Sequence, residues 1–398
     1  MHKNTVVACA RLVEEGGARA DMETVTFGTT TNELLRLSDW LTERGVTHVV
    51  MESTGVYWKP VWHILEGNFA LILGNALYLR NVPGRKSDVA DAAWLVDLLA
   101  HGLVRASFVA VAEQAEMRDL TRMRKQCIHE QSRYVLRLQK VLQDCNIKLD
   151  SVISDITGVS GRAMVQALIA GETDPQKLAG LAHPSIKAPR EELAEALRGK
   201  VTAHHQFMLK LHLDQYDGIR ARIAELDAQI EVTIRPFVNA AEYLQGIPGV
   251  GSVAAAAILA EIGVDMSRFP SAGNLLSWAG LVPQMDESAG KHRSTRTRKG
   301  NPALKTIMVQ CAWSAVRTKN SYYRARFHRI RARRGVKKAI VAVAASMLTA
   351  AYCMLRDGVE HKDLGVDYFA KRDEAKTVKR LQNRIKELGY DVQVQKVA

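Results

Sequence analysis

Two stretches of this chain repeat apolar residues at three- and four-residue spacing, which is the spacing of one face of an α-helix. The apolar positions are Leu120, Met123, Cys127, Tyr134, Leu138, Val141 and Cys145, followed by Tyr216, Ile219, Ile223, Leu226 and Ile230. They predict two long helices that pair as a coiled coil or as an antiparallel hairpin. The same pattern suits a spacer arm or a dimer seam, and the arginines of the first stretch would suit RNA or DNA.

A different pattern occupies the first hundred residues, where strand-like and helix-like segments alternate. Strands are predicted at 5–12, 47–51 and 71–74, and helices at 33–44, 56–66 and 88–99. Such alternation is typical of an α/β domain with parallel strands at its centre.

The length of 398 residues is too great for one compact domain and suits two or three. We expect an α/β domain over residues 1–110 and the paired helices over 111–240. An inserted segment of small helices and loops is expected at about 151–212. A helical domain follows over 241–356, and the tail 357–398 contains one amphipathic helix.

The positive charge of the chain is concentrated in one segment. The net charge is +13, from 55 Lys and Arg against 42 Asp and Glu. Residues 288–356 contain 17 Lys and Arg and no acidic residue, so the remainder carries a net charge of −4. Basic residues clustered in this way favour a polyanion, because each phosphate that they neutralise releases condensed counterions. The segment therefore predicts a nucleic-acid partner rather than a solvated helix face.

Secreted and integral-membrane classes are excluded by other features of the sequence. The five cysteines are scattered and never form a CxxC pair, which argues against a disulfide framework or a zinc site and favours a reducing cytoplasm. The first residues do not resemble a secretory signal peptide. The longest apolar run, 339–355, is Ala-rich and shorter than a membrane span.

Three carboxylates are candidates for a metal site. Glu52 directly follows the predicted strand at 47–51, and the carboxyl ends of such strands are where α/β sheets place ligands and metals. Asp88 and Asp91 are three residues apart at the start of a predicted helix, so both lie on one helix face. Three converging carboxylates repel one another unless a cation lies among them, and their oxygens suit Mg²⁺, which can stabilise a scissile phosphate. For Asp88 alone, a helix N-cap shared with Ser87 is the alternative.

Residues 246–252 (GIPGVGS) precede an Ala-rich helix and resemble a helix-hairpin-helix turn. Gly249 and Gly251 would allow the backbone N–H groups of this turn to hold a DNA phosphate without reading the base sequence. A plain tight turn between two helices is the alternative.

Ser288 opens the basic segment and is a candidate nucleophile. Small residues follow it and cations surround it, and such charges would stabilise a pentacoordinate phosphate. Ser294 and Thr295 are equally available hydroxyls, and Ser288 taken alone also fits an ordinary loop serine. The candidate nucleic-acid contacts of the segment are Lys291, Arg293, Arg296, Arg298, Lys299 and Lys305. Arg85 and Lys86 are candidate phosphate contacts near the carboxylates, with exposed loop cations as the alternative.

These motifs occur in an order that resembles a known family. Residues 51–58 (MESTGVYW), 83–91 (PGRKSDVAD), 246–251 (GIPGVG), 280–283 (GLVP) and 288–291 (SAGK) are similar to the DEDD transposases of bacterial insertion sequences, relatives of the Piv DNA invertase. The tail segment 363–369 (DLGVDYF) also resembles that group. The resemblance implies an RNase H-like (RuvC-type) N-terminal domain, a coiled coil and a C-terminal transposase domain. It also implies a cytoplasmic, nucleoid-associated bacterial protein.

In that family four acids bind Mg²⁺, and a serine attacks DNA to form a covalent phosphoserine intermediate. A structured non-coding RNA, the bridge RNA, pairs with donor and target DNA. Glu52, Asp88 and Asp91 match the second, third and fourth acids, and Ser288 matches the serine. The family's first acid is an Asp at the end of a short strand that precedes a segment similar to residues 1–7. We therefore expect this acid and a central strand to be missing, through a start placed too late or a truncated element.

The sequence thus predicts an RNA-guided, Mg²⁺-dependent site-specific recombinase of an insertion sequence. Because recombination cuts and rejoins several strands, we expect a homodimer or homotetramer, with the long helices as its seam. One alternative is a RuvC-like nuclease that uses metal-activated water. The other is a truncated, inactive copy that only binds DNA or RNA.

Overall fold

The structure of the chain is a computed structural model that describes eight ranges of residues. These ranges are 1–13, 20–53, 55–75, 87–284, 286–288, 291–294, 296–372 and 374–394. Internal contacts divide the chain after Ala110, into residues 1–110 and residues 111–398. The first unit is mixed α/β and the second is mostly helical, which confirms the predicted fold class at this level.

The described strands of the first unit form two pairs. They are β1 (Thr5–Val13), β2 (Ala20–Gly28), β3 (His48–Glu52) and β4 (Ala70–Gly74). β1 and β2 run antiparallel with Thr5 opposite Gly28, and β3 and β4 run parallel with His48 opposite Ala70. Within the described residues the two pairs are separate two-stranded sheets. The sequence predicts β1, β3 and β4 but not β2.

Three described helices belong to this unit: α1 (Thr31–Glu43), α2 (Trp58–Leu65) and α3 (Asp88–Ala100). The core of the unit consists of Val6, Phe27, Leu34, Leu37, Leu41, Met51, Val61, Leu65 and Leu73. Helix α3 contributes no buried residue, although most of its side chains are apolar. Its apolar side chains therefore remain half-exposed.

Two long helices begin the second unit, α4 (Ala112–Asp144) and, after an insertion, α9 (Ala203–Ile234). Arg124 of α4 pairs with Asp227 of α9, and the ring of Tyr134 lies 6.0 Å from that of His212. Arg124 precedes Tyr134 in α4, whereas their partners follow the opposite order in α9, with Asp227 after His212. The two helices therefore run antiparallel. Of the two predicted arrangements, the structure shows the antiparallel hairpin.

The insertion consists of four short helices, α5 (Leu149–Val152), α6 (Val159–Ile169), α7 (Pro175–Ala179) and α8 (Arg190–Ala196). They share a core with the adjoining ends of α4 and α9, including Leu138, Leu142 and Leu209. The predicted insertion extends to residue 212, but α9 already begins at Ala203. Helix α9 begins there because Thr202 and His205 form a capping box. The Thr202 hydroxyl accepts a hydrogen bond from the backbone N–H of His205, and the His205 ring accepts one from the backbone N–H of Thr202.

The remaining elements of the second unit are helices and one short β-hairpin. The α-helices are α10 (Val238–Gln245), α11 (Ser252–Ile262), α12 (Ala272–Ala279), α13 (Pro302–Ala315), α14 (Tyr322–Arg334), α15 (Val336–Asp357), α16 (Tyr368–Arg372) and α17 (Glu374–Glu387). The hairpin pairs β5 (Asp286–Ser288) with β6 (Lys291–Ser294). The sequence predicts a helical domain over 241–356, and it does not predict this short hairpin.

Helix α15 contains the apolar run at 339–355. With 22 residues it is the one described helix that is long and apolar enough to cross a membrane, so the prediction that this run is too short does not hold for the whole helix. Half of its most apolar window is buried inside the protein, as in a core helix. Ala339, Val343, Ala344, Met347 and Leu348 are among its fully buried side chains.

Candidate active site and nucleic-acid interface

The three predicted acids line one groove of the first unit. Glu52 is the last residue of β3, and Asp88 and Asp91 lie in the first turn of α3. The groove has a volume of about 870 Å³ and is lined by β1, β3 and one side of α3. Glu52 is half-buried, whereas Asp88 and Asp91 are exposed. The fold therefore brings together residues that are up to 39 positions apart, at a strand end and a helix N-terminus.

Helix α3 begins at this groove because Ser87 caps it. The Ser87 hydroxyl accepts a hydrogen bond of 3.3 Å from the backbone N–H of Ala90. The cap is therefore Ser87 rather than Asp88, which leaves the Asp88 carboxylate available for another role. In this structure that carboxylate pairs with His2, whose Nε2 lies 3.0 Å from Oδ2.

Three carboxylates have the oxygen chemistry that a hard divalent cation prefers. Among the described residues, however, no three His, Cys, Asp or Glu side chains lie close enough to hold a metal ion as they stand. The donor set thus fits a divalent cation in chemistry but not in its present spacing. Arg85 and Lys86, the cations predicted beside it, lie outside the described residues.

The turn at 246–252 has the geometry that its glycines predict. Gly249 has a φ of +85°, and a Cβ there would lie 2.5 Å from the carbonyl oxygen of Cys311, so α13 packs directly against its backbone. Gly251 is the N-cap of α11, and no atom lies within 4 Å of where its Cβ would be. The N-terminus of α11 is therefore open to an anion.

A narrow neck closes the segment that carries Ser288. A Cβ on Gly300 would lie 2.3 Å from the backbone nitrogen of Gly280, so the two glycine backbones are in direct contact. Beyond this neck the backbone N–H of Gln284 donates to the carbonyl of Arg296 at 2.8 Å. Lys305 donates to Thr297 Oγ1 at 2.7 Å. Lys305 thus supports the base of the segment and is half-buried, rather than being a free surface cation.

The hairpin beyond the neck places Ser288 opposite Lys291, at the ends of β5 and β6. Its register shifts between Asp286 and Glu287. Arg293 lies in β6, two residues after Lys291. Along the returning chain Arg296 and Lys299 are exposed, and Arg298 is half-buried. Five of the six predicted contact residues of the basic segment therefore belong to the hairpin and to the chain that follows it.

A second group of cations lies where α14 meets α15, and we call it the basic corner. It consists of Arg331, Arg333, Arg334, Lys337 and Lys338, all exposed. None of them forms an ion pair within the part of the chain that the structure describes. The two helices are joined at Gly335, whose φ is +79°. Five unpaired cations within eight residues favour a polyanionic partner.

One functional candidate was missed by reasoning from the sequence. Glu261, in α11, is a buried carboxylate with 1% of its side chain exposed, and it contacts Arg122 and Asn301. The sequence does contain a signal for a special role of Glu261, since it is the one acidic residue in a largely apolar helix. Its partners could not be found from spacing, because they are 139 and 40 positions away.

The carboxylates at a strand end of the α/β unit and the basic hairpin of the helical unit are features that suit an enzyme acting on a polyanion such as DNA. Comparison with known proteins agrees. Residues 1–147 match a family described as "Transposase", of the DEDD type found in IS110, and residues 241–329 match the "Transposase IS116/IS110/IS902 family". Together these matches cover more than half of the chain. The chain belongs to the IS110/IS116 family of DEDD transposases.

Individual relatives are distant. A Pseudomonas aeruginosa PAO1 protein named "Probable family 20 transposase" is 24% identical over 274 residues, 68% of this chain and 71% of that protein. The "Insertion element IS110 uncharacterized 43.6 kDa protein" of Streptomyces coelicolor A3(2) is 33% identical over 135 residues. That alignment spans 33% of each chain.

Proposed function

We propose that this transposase cuts and rejoins DNA through a covalent bond between Ser288 and a DNA phosphate. The observation that carries the proposal is the position of Ser288 at the end of β5, opposite Lys291, in a hairpin that is followed by further cations. Cations in this arrangement stabilise the charge that develops on a phosphate under attack.

In the proposed reaction the Ser288 oxygen forms a bond to phosphorus while the bond from phosphorus to a deoxyribose oxygen breaks. The serine loses its proton to water, and the departing oxygen takes one up. In the rejoining step a deoxyribose hydroxyl attacks the phosphoserine and releases the serine. The phosphodiester energy is conserved in the enzyme–DNA bond, so no nucleotide cofactor is consumed.

Glu52, Asp88 and Asp91 are proposed to hold a divalent cation, Mg²⁺ in the cell. When bound, the cation would supply positive charge at the phosphate oxygens. Asp88 must first exchange its contact with His2 for the cation. The acids must also approach one another more closely than they do here.

A second candidate function, a nuclease that uses activated water, is favoured by the same groove. Carboxylates at the carboxyl end of a strand can serve a hydrolytic site without a protein nucleophile. In that case Ser288 has no chemical role, and the DNA product has free ends rather than a protein attached.

The basic corner and the exposed N-terminus of α11 support a nucleic-acid surface larger than the hairpin alone. We propose that this surface binds DNA together with a structured RNA that guides target choice. We also propose that the long helices α4 and α9 form the seam of a homodimer or homotetramer in the bacterial cytoplasm, at the nucleoid.

The deciding experiment is detection of a DNA–protein adduct with a DNA substrate containing the element ends. Wild-type protein and Ser294→Ala are expected to form the adduct, and Ser288→Ala is not. Adduct formation by Ser288→Ala would refute the proposed nucleophile. Free cleaved ends without adduct in every variant would support the nuclease. Binding without cleavage by the wild-type protein would leave only a nucleic-acid-binding role.

A further inference from the structure

The carboxylate of Glu261 lies at an unfavourable place. It is 1% exposed and sits one residue before the C-terminus of α11. Burial of a charge costs free energy unless partners are present, and a negative charge at a helix C-terminus is repelled by the carbonyls there. A carboxylate retained at this position must therefore be compensated by specific contacts.

Two arginines of α4 supply part of this compensation. Arg122 forms a bidentate pair with Glu261, Nε to Oε1 at 2.8 Å and Nη2 to Oε2 at 2.9 Å. Arg118 donates to the last carbonyls of α11, those of Ala260 at 2.8 Å and Glu261 at 2.5 Å. Burial lowers the pKa of Arg118 to about 10, whereas the hydrogen bond to Glu261 raises the pKa of Arg122. The end of α11 is thus fixed to α4.

The third partner belongs to the base of the hairpin that carries Ser288. The Asn301 side-chain amide donates from Nδ2 to Oε2 of Glu261 at 2.5 Å. Its Oδ1 caps α13 by accepting from the backbone N–H groups of Ala303 and Leu304. Asn301 follows Gly300, which forms the neck of the segment, and its own backbone N–H donates to Trp278. One carboxylate therefore joins α4 to the neck.

We infer that Glu261 is a positioning residue that holds the base of the Ser288 hairpin in place through Asn301. The inference rests on the proposed function of Ser288. A buried ion pair is weak evidence for stability, since apolar replacements are often as stable, but its hydrogen bonds fix direction and distance. An attacking oxygen needs such fixing, because a displacement of about 1 Å can slow a reaction up to about 100-fold.

The test exchanges the hydrogen-bond donor and acceptor in the contact between Asn301 and Glu261. Asn301→Asp retains an oxygen that caps α13 but places a carboxylate against that of Glu261. Glu261→Gln in the same chain supplies an amide donor to the new carboxylate and leaves the total charge of the cluster unchanged. We expect Asn301→Asp to slow adduct formation at saturating DNA about tenfold, with the half-saturating DNA concentration within about twofold of wild type. The double variant should recover part of the rate, because it restores the contact to residue 301, although the amide nitrogen no longer accepts from Nη2 of Arg122.

Asn274→Asp is the matched control, since Asn274 occupies the first turn of α12, is exposed and faces Ser271 rather than a carboxylate. Its adduct rate should equal that of the wild type. A purely structural role for Glu261 would instead weaken DNA binding, and the double variant would not recover; the melting temperature falls in Asn301→Asp under either role, because two carboxylates then lie together.

Hydrogen exchange separates failure of this inference from failure of the proposed function. In the full chain, Asn301→Asp should speed exchange of the hydrogen-bonded amides of Gln284 and Arg298, while the amides of α13 stay protected. The double variant should restore slow exchange. This readout remains valid if no adduct forms even in the wild type. Unchanged exchange in Asn301→Asp, or a double variant no better than the single one, overturns the inference.

Discussion

Nε2 of His2 lies 3.0 Å from Oδ2 of Asp88, so the second residue of the chain contacts the first turn of α3. Both side chains are exposed, His2 at 61% and Asp88 at 52%. An exposed pair of this kind contributes only about 0.2–1 kcal/mol. The contact is thus weak enough for a divalent cation to displace it.

Replacing His2 with Ala is expected to tighten binding of Mn²⁺, because the freed carboxylate no longer has to leave a partner. The strength of such a pair corresponds to a fall in the Kd by about 1.5- to 5-fold. Isothermal titration of the full chain with Mn²⁺ measures it. His63→Ala is the control, since His63 is exposed and faces Glu66 instead. A weaker Kd in His2→Ala would show that His2 assists the metal site.

Much of the first unit could be predicted because its apolar pattern is local. β1, β3 and β4 and all three described helices agree with their predicted positions within two residues. β2 was missed because Ala20–Gly28 carries polar residues through its length. Phe27 is its one buried core residue among those described, and Val25 packs against the core half-buried. Pairing with β1 supplies the strand character that the sequence of β2 lacks.

The neck of the hairpin gives a prediction about stability. Gly300→Ala places a methyl group against the backbone of Gly280 and should lower the free energy of unfolding by about 1–3 kcal/mol. Gly218→Ala is the matched control, because Gly218 lies inside α9 with no atom within 4 Å of its added Cβ. There the helix propensity of Ala should raise the unfolding free energy by roughly 0.5–1 kcal/mol. Urea denaturation measures whether the two substitutions change the free energy of unfolding in opposite directions. An unchanged free energy of unfolding in Gly300→Ala would contradict the close contact between Gly300 and Gly280.

The candidate site was only partly predictable, for a physical reason. Glu52, Asp88 and Asp91 could be grouped because strand ends and first helical turns have fixed directions, and the fold does bring them to one groove. The hairpin at Ser288 could not be predicted from the sequence. Its strands are short, and it depends on backbone hydrogen bonds between residues 282–284 and 296–298. Contacts between distant segments carry no local periodicity.

The contact between Tyr323 and His361 predicts a pH dependence of stability. Tyr323 is buried, and its hydroxyl lies within hydrogen-bond distance of Nε2 of His361, at 3.1 Å. Burial lowers the pKa of His361 in the folded chain, against a smaller opposing effect of Asp363. The unfolded chain therefore takes up the proton first as the pH falls, near the ordinary pKa of about 6.5, so the free energy of unfolding should decrease from pH 7.5 towards 5.5.

His361→Gln should flatten this decrease, because the titrating ring is gone and an amide can still form a hydrogen bond with the Tyr323 hydroxyl. Denaturant unfolding at several pH values measures the slope. His328→Gln, at an exposed histidine of α14, should retain the wild-type slope. An equal slope in His361→Gln and the wild type would assign the pH dependence to other groups.

The basic corner predicts how DNA binding depends on salt. Lys337 and Lys338 are exposed and unpaired in the described part of the chain. If both contact phosphates, replacing both with Gln should reduce the slope of log K against log salt concentration by about 1.8, since each contact with duplex DNA contributes about 0.9. Fluorescence anisotropy with a duplex between about 50 and 200 mM salt measures the slope. Arg198 and Lys210, exposed but each beside an acid, provide the control pair and should leave the slope unchanged when both are replaced with Gln. Equal slopes for the two double variants would show that the corner lies away from the DNA.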